Sequence, residues 1–221
     1  MKFSTRTQLL PGPAGAIDVA LDLPDGTPIG CAVIAHPHPL FHGTRDNKVA
    51  HTLARALVAR GFAAWRPNFR GVGASEGEHD GGRGETDDLL AVVAHARREL
   101  GHPGPLVLAG FSFGAYVQMR VAERLREAGH PAQRLVLVGP AVSRAEELSA
   151  PPESLVIHGE RDETVLLADV LDWARPLGIP IVVVPQADHF FHRRLTLLKR
   201  LVEEALLTVV HSRAAGSGGA P

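Results

Sequence analysis

Apolar residues along this chain fall into two patterns. Near the start, Ile17, Val19, Leu21 and Leu23 alternate with Asp18, Ala20 and Asp22, the period of two that a half-exposed strand produces. With Phe3 to Leu10 before it, set off by Pro11-Gly12-Pro13, this predicts an antiparallel pair. Further on the apolar runs become continuous: Cys31 to Ala35, Phe62 to Trp65, Leu106 to Ala109, Leu135 to Val138, Leu155 to Ile157 and Ile181 to Val184. Such runs suit strands buried on both faces of a parallel sheet. Between them the spacing turns helical. Val49, Leu53 and Leu57 share a face, as do Leu89, Val93, Ala96 and Leu100. Ala115, Val117, Val121 and Leu125 predict a third helix, Val170, Trp173 and Leu177 a fourth, and Leu198 to Val209 a last.

From the third strand onward, strand and helix alternate. That order predicts a three-layer α/β architecture, a mostly parallel sheet with helices on both faces. Ligands of such sheets bind at the carboxyl ends of the strands, so chemistry is expected in the loops just after each apolar run.

Composition narrows the picture. The 221 residues suffice for one α/β domain, expected over residues 1–213, and Ala214 to Pro221 reads as a flexible tail. A formal net charge of -1 gives no global field for nucleic acid or an anionic membrane. The single cysteine, Cys31, excludes an internal disulfide and lies in an apolar run, so it is expected to be buried filler. No apolar stretch has the length of a signal core or a membrane span, which points to a cytoplasmic protein. Nothing in the sequence sets the oligomeric state.

Gly110-Phe111-Ser112-Phe113-Gly114 sits where the Leu106–Ala109 strand passes into a helical segment. A G-x-S-x-G at that junction is the pattern of a nucleophile elbow, in which Ser112 occupies a strained turn at the edge of the sheet. Its glycines leave room where backbones pass too close for a Cβ.

A serine nucleophile needs a base, normally a histidine oriented by a carboxylate. His158-Gly159-Glu160-Arg161-Asp162-Glu163 follows one strand, and Pro185-Gln186-Ala187-Asp188-His189 follows the next. The order Ser112, Asp162, His189 is that expected on this type of sheet. Glu160 and Glu163 compete with Asp162, and His192 competes with His189. The last helix is expected to begin near Phe190, with Asp188 as its cap and His192 a turn inside it.

His36-Pro37-His38-Pro39-Leu40-Phe41-His42 follows the strand ending at Ala35. In elbow enzymes this loop gives one backbone N–H of the oxyanion hole, and the residue after the serine, here Phe113, gives the other. Pro37 and Pro39 have no N–H, leaving His38 as first candidate and Leu40 as second. The same histidines could in principle hold a metal, but no cysteine or carboxylate has ligand spacing and the prolines disfavour convergence, so no metal is expected. Asn68-Phe69-Arg70-Gly71-Val72-Gly73 reads as a tight loop beside the site. The acidic residues Glu76, Asp80, Glu85, Asp87 and Asp88 read as solvated loop and helix start.

These segments, together with Asp46-Asn47-Lys48-Val49 and Ala187-Asp188-His189-Phe190-Phe191, resemble the α/β-hydrolase superfamily, and within it the small serine hydrolases described as predicted hydrolases or carboxylesterases. The resemblance spans nearly the whole chain. It implies an eight-stranded sheet whose second strand is antiparallel, a Ser–His–Asp triad and no cofactor. Many members carry His-Gly where this chain has His36-Pro37. Members usually insert a lid after the sixth strand. Here Val138 to Glu153 holds one or two polar helical turns near Arg144 to Leu148, so no cap domain is expected. Apolar walls are expected from Leu40, Phe41, Phe111, Phe113, Tyr116 and Phe190. The resulting expectation is hydrolysis of carboxylic esters of small or flexible acyl groups. Thioesters, lactones and peptides suit the same triad, and a non-catalytic binding module on this fold is the rival from another class.

Overall fold

The computed structural model describes residues 3–144 and 149–207. The expected tail at 214–221, Val209 and residues 145–148 of the turn expected at Arg144 to Leu148 lie outside the described residues. Strands β1 (Ser4–Gly12) and β2 (Gly15–Leu23) form the antiparallel pair. Then follow β3 (Gly30–Ala35), α1 (Lys48–Ala59), β4 (Phe62–Pro67), α2 (Arg83–Leu100), β5 (Leu106–Phe111) and α3 (Phe113–Glu127). The chain continues through β6 (Arg134–Val138), β7 (Leu155–Gly159), α4 (Leu167–Ala174), β8 (Ile181–Val184) and α5 (Leu195–Ala205).

All eight strands hydrogen-bond into one sheet of order β1-β2-β4-β3-β5-β6-β7-β8. β2 runs antiparallel to both neighbours, while β4, β3, β5, β6, β7 and β8 pair in parallel. The continuous apolar runs follow from this, because β3, β4 and β5 are buried at every position. One apolar cluster packs α1 and α5 on one face, with Leu53, Leu57, Leu198 and Val202 fully buried. The other gathers α2, α3 and α4 on the opposite face, with Leu89, Val117 and Val170. Residues 139–154 join β6 to β7, with a 3-10 turn at Val142–Arg144 among the described residues, and a connection of that length is too short for a cap domain.

Buried polar groups tie the antiparallel edge to the loops at the strand ends. Arg66 of β4 donates from Nε to Asp22 Oδ2 of β2 at 2.7 Å and from Nη1 to the Arg45 carbonyl at 2.8 Å. Asn68 accepts the Arg45 N–H at 2.9 Å and donates to Asp18 Oδ2 at 3.0 Å. Arg70 forms two bonds to Asp88, at 2.8 and 2.9 Å, and a third to the Gly84 carbonyl. Asp88 and Glu85 are buried rather than solvated, contrary to the expectation from sequence. Glu85 turns back to accept the N–H groups of Asp80 and Gly82, capping α2, and the Arg70 guanidinium neutralises Asp88.

Helix α5 begins at Leu195, five residues later than the sequence suggests. Phe191 and Arg193 adopt positive φ of 54° and 58°, and Asp188 uses both oxygens on His192 instead of capping the helix.

Candidate active site

Ser112 joins the end of β5 to the start of α3 with φ 56° and ψ -119°, a conformation costly for any residue with a Cβ. The cost is met by close packing around it. A Cβ at Gly110 would strike the backbone of Gly114, and one at Gly114 would strike the carbonyls of Ala35 and His36. Ser112 is held further by its own N–H, which donates to the Val138 carbonyl at 2.9 Å. Its carbonyl accepts the amides of Ala115 and Tyr116 as α3 begins.

The loops after β7 and β8 bring Asp162 and His189 to this turn. His189 Nε2 lies 3.1 Å from Ser112 Oγ, and its Nδ1 lies 2.7 Å from Asp162 Oδ2. An ionised carboxylate can only accept, so Nδ1 donates to Asp162 and Nε2 is left to accept from the serine hydroxyl. Asp162 Oδ1 accepts the N–H groups of Thr164 and Val165 at 2.9 and 2.8 Å. Burial pushes this carboxyl up, but the hydrogen bonds from His189 and the Val165 amide outweigh it and hold Asp162 below the usual carboxylate range. All three residues are buried.

The competitors are placed elsewhere. Glu160 accepts the Gln186 N–H at 2.7 Å, Glu163 is exposed, and His192 is an exposed partner of Asp188 at 2.6 Å.

The His189 ring is gripped by its neighbours. Phe111 packs 4.7 Å from it, Phe190 meets it edge-on at 5.2 Å, and Gly139 leaves space where a Cβ would come to 3.4 Å of it. Phe111 is fully buried and therefore supports the imidazole rather than lining an open wall, as the sequence suggested. It ends β5 on the face covered by α1 and α5. Phe113 and Tyr116 are buried on the other face, 5.9 Å apart. Leu40, Phe41 and Phe190 are the exposed apolar groups of the expected wall, at 67%, 78% and 46% of their full accessibility.

Phe113 is the first residue of α3, so its N–H has no acceptor within the helix. In the loop after β3, the Leu40 N–H donates to His38 Nδ1 at 3.3 Å and is thereby turned inward on its own 3-10 turn. The His38 ring stacks 4.7 Å from Phe113, bringing the His38 loop against the start of α3.

Sequence reasoning missed three histidines. His36 is fully buried, donates from Nδ1 to the Pro37 carbonyl at 2.7 Å and accepts the Phe69 N–H on Nε2 at 2.9 Å. With both nitrogens used it is a brace between two loops, and burial pushes it down to about 4 against weaker opposition from the Pro37 bond. His158 lies beside Asp162, its Nε2 donating to the Val165 carbonyl at 3.0 Å. His79 sets its Nδ1 2.7 Å from the buried Glu85 and stacks 4.8 Å from His38. The available signal was position: His36 directly follows β3, His158 lies at the carboxyl end of β7, and His79 sits in the loop before α2. Among the described residues no group of three His, Cys, Asp or Glu side chains is arranged to hold a metal ion.

Comparison with known proteins agrees with this architecture. A family model for the thioesterase domain matches residues 49–176. An α/β serine hydrolase without lid from Xanthomonas campestris superposes with a TM-score of 0.84 at 35% identity, over 99% of this chain and 97% of that one. An α/β serine hydrolase homologue from Coxiella burnetii gives 0.81 at 36% identity, over 91% and 97%. Est1E from Butyrivibrio proteoclasticus, solved with ferulic acid bound, shares the fold at 18% identity with a TM-score of 0.78, over 92% and 99%. With a sheet of this order, an elbow after β5 and no cap after β6, this chain belongs to the α/β serine hydrolases without a lid.

Proposed function

We propose that this protein hydrolyses carboxylic esters of small or flexible acyl groups through an acyl-enzyme. The observation that carries the reading is the chain of contacts from Ser112 Oγ through His189 to Asp162, 3.1 and 2.7 Å long, on a serine held at positive φ. Ser112 attacks the ester carbonyl while its proton passes to His189 Nε2. Asp162 keeps the proton on Nδ1 and stabilises the imidazolium. The amides of Phe113 and His38 receive the developing oxyanion, assisted by the positive end of α3. His189 then protonates the leaving alcohol, activates a water and returns the proton to Ser112 as the acid departs.

Leu40, Phe41 and Phe190, exposed around the site, supply apolar contact for the acyl or alcohol part, with Tyr116 and Phe111 behind them. No cofactor or metal enters the scheme. The ferulic acid bound by Est1E supports an ester substrate. A thioester is the second reading, favoured by the thioesterase-domain match over 49–176. No helix among the described residues is long and apolar enough to cross a membrane.

The test is turnover of p-nitrophenyl acetate and p-nitrophenyl butyrate by the wild type and Ser112→Ala. Saturable hydrolysis that disappears in the variant supports the scheme. Equal rates in both would remove Ser112 from the reaction.

A further inference from the structure

One side of the site opens onto charge that the acyl-enzyme scheme does not use. A groove of about 550 Å³ is lined by His42, Asp46, Lys48, Phe190, His192 and Arg193. A second, of about 330 Å³, shares Lys48 and Leu195 with it and continues between α1 and α5 past Arg55 and Lys199. The two grooves adjoin through these shared residues, and Phe190, which lines the first, is the edge-on neighbour of the His189 ring.

The acidic groups here are already taken. Asp46 lies 3.2 Å from the buried Arg66, Asp188 holds His192, and Glu203 pairs with Lys199. Lys48, Arg55 and Arg193 have no acidic partner among the described residues, and Arg55 lies over the Phe3 ring at 5.4 Å. Lys48 and Arg55 are seven residues apart on one helix, which places them about 10 Å apart along its axis. The groove therefore has a net positive lining spread along its length. A single carboxylate would be matched by one such cation. A phosphate, with close to two charges and three acceptor oxygens, matches several.

Reaction geometry decides which part of a substrate would lie there. The general acid must stand within hydrogen-bond reach of the departing atom. The leaving group therefore exits on the His189 side, next to the groove-lining Phe190, while Phe113 and His38 lie on the oxyanion side. Resting on the acyl-enzyme reading above, we propose that this groove binds the leaving group and that the natural leaving group is a thiol or alcohol carrying a phosphate. The Ser112 Oγ–carbonyl bond forms as the C–S or C–O bond breaks, and the serine proton travels through His189 to the departing sulfur or oxygen. Water then cleaves the acyl-enzyme, giving the carboxylic acid, the phosphorylated thiol or alcohol, and free Ser112.

Two substrate pairs test this, each sharing its acyl group. Butyryl-coenzyme A is compared with butyryl-N-acetylcysteamine, and butyrylglycerol phosphate with butyrylglycerol. The expected result is a kcat/KM at least about tenfold higher for the phosphorylated member of one pair, carried mainly by KM. That ratio should shrink at about 0.5 M salt and approach one in the double variant Lys48→Gln/Arg193→Gln. The pair that shows the preference identifies thiol or alcohol. A ratio near one in both pairs for the wild type, or a ratio untouched by the double variant, would overturn the proposal. Calorimetric binding of coenzyme A and of inorganic phosphate to Ser112→Ala separates the two readings, because it needs no catalysis. Binding of coenzyme A without turnover of any substrate contradicts the acyl-enzyme scheme and keeps the phosphate site. Turnover without phosphate preference contradicts the phosphate site alone.

Discussion

The buried His158 sets its Nε2 3.6 Å from Oδ2 of Asp162, the same oxygen that His189 Nδ1 meets at 2.7 Å. A second imidazole therefore stands against the Asp162 carboxylate. Its Nε2 hydrogen also serves the Val165 carbonyl, while the Val165 amide donates to Asp162 Oδ1. His158 and Asp162 thus grip one loop from both ends of the same residue. Burial lowers the His158 pKa against the pull of Asp162, which favours the neutral ring.

Removing that grip should loosen Asp162 without touching the reacting atoms. His158→Ala leaves the Val165 carbonyl unpaired, a loss of roughly 1–3 kcal/mol in stability. It should lower kcat as well. His158→Gln, whose amide nitrogen can reach towards Val165, should recover much of both losses. Thermal unfolding and steady-state kinetics on the three proteins check this. Equal kcat in His158→Ala and the wild type would contradict it.

Asp162 is expected to dominate its acidic neighbours. Asp162→Asn should reduce kcat by on the order of 10⁴-fold, because an amide no longer selects the Nδ1–H tautomer of His189. Glu160→Gln should cost little by comparison, since Glu160 Oε2 serves only the Gln186 amide among the described residues. Full activity in Asp162→Asn with loss in Glu160→Gln would transfer the role to Glu160.

His36 gives a pH signature in stability. Its folded pKa is about 4, against an ordinary value near 6.5, because burial opposes the charged ring. Between those values the unfolded chain takes up a proton that the folded chain refuses, so stability rises with pH across that window. The contribution is complete above pH 6.5 and is lost progressively as the pH falls towards 4. From pH 7.5 to 5 the wild type should lose about 2 kcal/mol from this group. His36→Gln keeps an acceptor for the Phe69 amide but cannot titrate, so its denaturation midpoint should change less over that range. Parallel pH dependence in both proteins would contradict the assignment.

Most of the sheet was legible in the sequence because buried parallel strands are apolar at every position and helices repeat on one face. The runs at Cys31–Ala35 and Leu106–Ala109 could hardly be anything else. That Ser112, Asp162 and His189 would lie close together was legible because each falls in the turn or loop after a parallel strand, at one edge of the sheet. What the sequence hid depends on which way a side chain turns. Phe111 looks like a pocket wall until its full burial is known. Glu85 and Asp88 look solvated until Arg70 and the turn at Asp80 are seen to fold over them. The late start of α5 reflects two residues at positive φ, which no apolar spacing signals.

Labelling with a fluorophosphonate probe decides whether Ser112 is an activated nucleophile. The expected result is one covalent adduct per chain, mapped by peptide mass to Ser112, absent in Ser112→Ala and slowed strongly in His189→Ala. Cys31 should stay unmodified, since it is buried and burial pushes its thiol up to about 11. An active, folded wild type that takes no label, or takes it at another residue, would rule out Ser112 as the nucleophile.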